Sequence, residues 1–72
     1  MYTDKEILIQ LGRNIKAERV RRGYTLEYFA EKIGFTREYI SRIERGQENM
    51  SIIKINNLAN ILETNITDLL KF

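Results

Sequence analysis

Thr25-Leu26-Glu27-Tyr28-Phe29-Ala30-Glu31-Lys32-Ile33-Gly34-Phe35-Thr36-Arg37-Glu38-Tyr39-Ile40-Ser41-Arg42-Ile43-Glu44-Arg45-Gly46 is the stretch that decides the fold of this chain. Two threonines divide it. Each stands just ahead of an apolar pattern with helical spacing, where a hydroxyl caps a helix by accepting from a free backbone N–H. After Thr25, the residues Phe29, Ala30 and Ile33 turn inward, and Gly34 ends the run. After Thr36, Ile40 and Ile43 form the inward stripe, and Gly46 ends it. Only Gly34-Phe35 lies between the first helix and the second cap.

Helices joined this tightly cannot lie antiparallel over a long interface; they cross steeply, as in a helix-turn-helix. The crossing needs a small side chain on the first helix where the second approaches, and Ala30 supplies it. The turn needs a residue at ease with positive φ, and Gly34 supplies that.

Upstream, Thr3-Asp4-Lys5-Glu6 has the form of a capping box. Leu8, Leu11 and Ile15 then recur at helical spacing up to about Arg22, ahead of Gly23. Downstream, Ser51 opens a fourth helix carrying Ile52, Ile55, Leu58, Ala59 and Leu62. A last short helix is expected from around Thr67, with Leu69, Leu70 and Phe72. Strand alternation is nowhere sustained. The expected fold is all-α with five helices.

The 72 residues, with no proline and no Gly/Ser linker, read as one domain spanning 1–72. A domain of this size buries only about 60% of its unfolded surface, so packing leaves it marginally stable. Disulfides are excluded, since the chain has no cysteine. A zinc site is unexpected with neither Cys nor His. No cofactor is expected. No apolar run approaches the length of a membrane span, and Met1–Glu6 lacks the form of a signal peptide. The expected location is the cytoplasm, without membrane contact. An enzyme is excluded on the same residues: there is no His, no Cys, no Gly-rich phosphate loop and no carboxylate pair with an evident pocket.

Twelve basic and ten acidic residues give a net charge of only +2. Their distribution matters more. Arg13, Lys16, Arg19, Arg21 and Arg22 face the single acid Glu18 within one stretch, a local basic excess that suits a polyanion.

The stretch quoted above resembles the core signature of the Cro/phage-repressor (XRE-type) helix-turn-helix family. Its flanks are similar too: Leu11-Gly12-x-x-Ile15-Lys16-x-x-Arg19 resembles the family's first helix, and Leu58-Ala59-x-x-Leu62 its fourth. The resemblance implies a five-helix, lambda-repressor-like domain that binds double-stranded DNA. Its second helix-turn-helix element would lie in the major groove. Carried over position by position, Arg37, Glu38 and Arg42 become the base-reading residues. The chemistry suits them: Arg can donate a bidentate pair to guanine O6 and N7, and Glu can accept from cytosine N4. Glu38 and Arg42 are also spaced i,i+4, so Glu38 is equally suited to orient Arg42 without touching a base.

The same resemblance makes Thr25, Thr36, Tyr39, Ser41, Arg45, Gln47 and Asn49 contacts to the DNA backbone. It implies a structural salt bridge between Arg19 and Glu44 that braces the first helix against the reading helix. Two departures stand out. Leu26 occupies the place where the family often has a phosphate-binding Gln. Asn49-Met50-Ser51 replaces the frequent Asn-Pro-Ser, a form familiar among restriction–modification controllers.

A single reading helix specifies few bases, and family members dimerise so that two helices enter successive grooves about 34–36 Å apart. Ile53, Ile61, Ile66, Leu69 and Phe72 exceed one inward stripe and are the expected homodimer interface, on the fourth and fifth helices. The leading reading is a transcriptional regulator on a palindromic operator, with RNA polymerase as a further candidate partner and no small-molecule effector expected. A protein-interaction or antitoxin module with the same fold is the alternative, distinguished by a flat response of binding to salt.

Overall fold

In the computed structural model, which describes residues 1–72, five helices follow one another with no strand. They are α1 (Asp4–Arg21), α2 (Leu26–Ile33), α3 (Arg37–Glu44), α4 (Ile52–Ile61) and α5 (Ile66–Leu69). No helix is long and apolar enough to cross a membrane.

Local chemistry sets the boundaries. The hydroxyls of Thr3, Thr25, Thr36 and Ser51 accept from the backbone N–H three residues on, each capping one helix. Glu6 reaches back to accept from the Thr3 N–H at 2.9 Å, which completes the capping box. α5 begins one residue earlier than expected, at Ile66, because its cap is different. Asn65 caps it without a side-chain bond, and Thr64 Oγ1 donates to Asp68 Oδ2 at 2.9 Å.

At the other ends the chain repeats one device. The N–H groups of Tyr24, Phe35, Gln47 and Thr64 each donate to a carbonyl five residues back, closing a Schellman turn over a left-handed residue. Three of those left-handed residues are glycines; the fourth is Glu63, at φ 54°.

Twelve buried side chains form one core drawn from all five helices and the loop before α4. Phe29, Ile15, Ile40, Ile43, Leu58 and Leu62 are among its fully enclosed members. α1 packs on α3 and α5, and α4 packs on α2 and α5, so the helix-turn-helix pair is gripped from two sides. Gly12 makes the first grip possible. A Cβ built there lies 2.5 Å from the Ile43 carbonyl oxygen and 2.6 Å from that of Glu44. The α1 and α3 backbones therefore touch, and no larger residue fits.

The core departs from expectation at the start of α4. Ile52 is exposed, and Met50, outside the helix, fills the core instead. Leu69 was expected on a subunit interface, but its exposure is 0%. It completes this chain's own core and has no surface to offer a partner. Ile61 and Ile66 are half-buried against the same core. The Phe72 ring meets Tyr2 edge to face at 5.7 Å, so it covers the α1 end of the molecule. Asn14, further along α1, also holds the last residues of the chain: its Nδ2 donates to the carbonyls of Leu69 and Lys71, both at 2.9 Å. Of the five expected interface residues, Ile53 alone projects mostly into solvent, 67% exposed.

Candidate nucleic-acid interface

The turn between α2 and α3 has the geometry its residues dictate. Gly34 adopts φ 84°, ψ 26°, and its N–H donates back to Ala30 and Glu31. Thr36 is already extended, at φ −78°, ψ 155°, so α3 departs at once in a new direction. Ala30 of α2 is buried in the same core cluster as Ile40 and Ile43 of α3, the helix it packs against. Leu26, the departure noted at the start of α2, is partly buried against the core. Its side chain packs, and the phosphate hydrogen bond that a Gln makes there is absent from its chemistry.

α3 is braced from behind. Arg19 Nε donates to Glu44 Oε2 at 2.7 Å and Nη2 to Oε1 at 3.2 Å, a bidentate pair. Arg19 Nη1 also donates to the Tyr24 carbonyl at 2.7 Å, which ties in the loop before α2. The two side chains are only 11% and 6% exposed. An enclosed, doubly bonded guanidinium and carboxylate fix orientation more firmly than a surface pair does.

The outward face of α3 carries the residues singled out for base contact. Arg37 and Glu38 are exposed in its first turn, and Arg42 is half-exposed one turn on. Glu38 makes no side-chain bond or ion pair and does not orient Arg42. Arg42 turns to Glu48 instead, donating through Nε at 2.9 Å, with its guanidinium 5.5 Å from the centre of the Tyr39 ring. Arg37 places Nε 2.7 Å from Glu27 Oε2, so the first turns of α3 and α2 sit side by side.

Among the residues singled out for backbone contact, Thr25 and Thr36 use an oxygen lone pair for capping. That leaves each hydroxyl proton free to donate outward. Tyr39 is half-buried, edge-on to Phe35 at 4.9 Å, and its hydroxyl oxygen accepts from Lys54 Nζ at 2.9 Å. It is therefore part of the framework, with its own O–H still free to donate. Ser41 is half-buried, and its carbonyl accepts from Arg45 Nε at 3.3 Å. Gln47 and Asn49 are exposed in the loop after α3.

The basic excess of α1 does not survive as a free cationic patch. Arg19 is enclosed with Glu44, Arg21 pairs with Glu18 at 2.6 Å, and Arg22 pairs with Glu63. Only Arg13 and Lys16 of the five remain without an acid. Three contributors lay outside the sequence reading. Glu27 and Glu48 hold the outward arginines, and Lys54 lies over both the Phe35 and Tyr39 rings. Their partners sit on other elements, so helical spacing gives no sign of them.

Two short helices crossing over Ala30 and Gly34, with a capped and braced second helix presenting polar donors, define a helix-turn-helix domain. The chain belongs to the helix-turn-helix family HTH_3, whose model matches residues 15–69. It is similar to the HTH-type transcriptional regulator SinR of Bacillus subtilis, 38% identical over 61 residues. That match covers 83% of this chain and 55% of SinR, so the chain spans about half the length of that relative.

Solved structures agree. The restriction–modification controller C.AhdI from Aeromonas hydrophila superposes with TM-score 0.80 at 32% identity, covering 86% of this chain and 94% of that one. The SinR structure in complex with DNA superposes with TM-score 0.77 at 35% identity, covering 85% and 98%. These relatives are regulators, not enzymes.

Proposed function

We propose that this domain binds double-stranded DNA in a sequence-specific manner and acts as a transcriptional regulator, in the manner of its relatives. The observation that carries the reading is the outward face of α3. Arg37, Glu38 and Arg42 stand clear of the core on a helix whose position is fixed by Arg19–Glu44, Gly12 and the α2 crossing. The resemblance to SinR, solved with DNA bound, supports it. A controller role in restriction–modification follows the likeness to C.AhdI and belongs to the same proposal.

The functional unit in this reading is a homodimer on a palindromic operator. The exposed Ile52 and Ile53 at the start of α4 offer apolar surface for the contact. Two reading helices then address half-sites about one helical turn apart.

Selection of bound duplexes from a random pool, followed by titration in rising salt, tests the reading. The expected result is an enriched, two-fold symmetric sequence, with affinity falling steeply between about 50 and 200 mM salt as counterions are released. Sedimentation should give the mass of two chains. Absence of enrichment, or a flat salt response, overturns the proposal in favour of a protein-docking module.

A further inference from the structure

Resting on the DNA-binding reading above, we infer that Glu48 and Glu27 are specificity-determining positioning residues for Arg42 and Arg37. Neither glutamate need touch DNA. Each acts through the arginine it holds.

Both pairs meet at Nε, Arg42–Glu48 as a hydrogen bond and Arg37–Glu27 as a solvent-exposed ion pair. In Arg42–Glu48 the carboxylate accepts from Nε at 2.9 Å; in Arg37–Glu27 the nearest nitrogen is again Nε, at 2.7 Å. In both, the two terminal amino groups have no partner within the protein. A guanidinium held by Nε keeps its Nη1/Nη2 fork, and that fork is a bidentate match for guanine O6 and N7. Arg42 is fixed further by the Tyr39 ring, which is itself held by Lys54 through the phenol oxygen. The Gln47 N–H, donating to the Arg42 carbonyl at 2.9 Å, turns the loop back so that Glu48 arrives beside α3.

Charge gives the pairs a second consequence. A phosphate attracts a guanidinium by net charge, whereas a base edge needs donors in the right place. A carboxylate at Nε offsets the net charge and leaves the outer donors in position. It therefore weakens backbone attraction, which every sequence shares, more than it weakens base readout. Specificity is the difference of those two affinities. The glutamates raise it by lowering the common part and pre-orienting the particular one.

Glu48→Gln and Glu27→Gln test this, with folding checked by circular dichroism. The probes are the duplex recovered by selection and a scrambled duplex of equal length, at matched ionic strength. Affinity for the scrambled duplex should rise and that for the selected duplex should not. The ratio should fall about tenfold, within the value of one bidentate base contact. The salt slope on the scrambled duplex should steepen by about one as the arginine, its charge no longer offset, takes a phosphate.

With Arg42→Ala already in place, Glu48→Gln should leave the ratio unchanged, since the effect runs through that arginine. The Glu27 variant keeps the test open if the Glu48 variant does not fold. If the parent chain discriminates but both variants keep its ratio, or gain equally on both duplexes, the glutamates are screening charges only and the inference fails. If the parent chain binds no duplex, the DNA-binding reading fails first.

Discussion

Glu44→Gln puts the bracing of the reading helix to a quantitative test. The substitution keeps size and one acceptor but removes the charge opposite Arg19, whose guanidinium is about one-tenth exposed. Stranding a charge in an enclosed pair costs about 3–5 kcal/mol. Gln can still accept from Nε, so the lower end, about 3 kcal/mol, is the expected loss. Against about 4–11 kcal/mol for a chain of this length, that is a large fraction. At about 4–8 °C per kcal/mol in a small domain, Tm should fall by about 12–24 °C.

Thermal unfolding by circular dichroism measures the loss, and Glu63→Gln is the internal control. Its partner Arg22 lies 3.5 Å away on the surface, where a pair contributes about 0–1 kcal/mol. The double exchange Arg19→Met with Glu44→Met should recover much of the loss, because an apolar pair needs no desolvation of charge. Recovery stays incomplete, since the Tyr24 carbonyl loses its Arg19 donor. A fall for Glu44→Gln no larger than that of Glu63→Gln would refute the reasoning: the pair would then be solvated, and α3 would owe its orientation to apolar packing alone.

The other predictions concern the backbone, the reading face and acid. Gly12→Ala drives a methyl into the Ile43 and Glu44 carbonyls and should cost about 3 kcal/mol or abolish folding, read by the same melts. Glu63→Gly should raise Tm by a few degrees: relief of a left-handed non-glycine residue gives about 1–2 kcal/mol, offset in part by glycine's unfolded-state entropy and the lost surface pair. Arg37→Ala should weaken the selected duplex by about 1–3 kcal/mol and relax preference at one position per half-site; an equal loss on all sequences makes it a phosphate contact. The Thr3 backbone N–H lowers the pKa of Glu6, and the Thr64 hydroxyl lowers that of Asp68. Folded-state values below the unfolded ones mean stabilisation that is present above about pH 4 and lost as pH falls through the lowered values. Thr64→Val should therefore flatten the acid limb of a Tm-against-pH curve.

The helices were legible because their determinants are local. Thr25, Thr36 and Ser51 lie next to the turns they cap, and Phe29, Ala30, Ile40 and Ile43 recur at the spacing that makes a face. Contacts between elements were not legible. Nothing near Asn14 in sequence indicates that its amide will hold the Leu69 and Lys71 carbonyls, and Met50 lies outside any periodic run. The apolar surplus at the C-terminal end misled for the same reason. Leu69 and Phe72 look surplus to α4 until α5 folds back on α1, where one completes the core and the other covers Tyr2. At the site, Glu38 had the right helical spacing for Arg42, but a loop carboxylate six positions on lies closer. Local rules rank partners along one helix and give no rank to those that a turn delivers.

α3 has eight residues, too few to hold a helix alone in water. Its existence and its direction are therefore tertiary properties, imposed through the face that looks inward. Ile40 and Ile43 are buried, Tyr39 packs on Phe35, Glu44 pairs with Arg19, and the Ile43 and Glu44 carbonyls rest on Gly12. Those contacts use one side of the helix and leave Arg37, Glu38 and Arg42 with no part in the core. Substitution there changes what the helix presents while the elements that aim it stay in place. Substitution on the inward side unseats the helix before any contact to DNA is altered. The two sets should consequently separate in experiment, with Gly12→Ala and Glu44→Gln read in melting curves and Arg37→Ala read in base preference at an unchanged Tm.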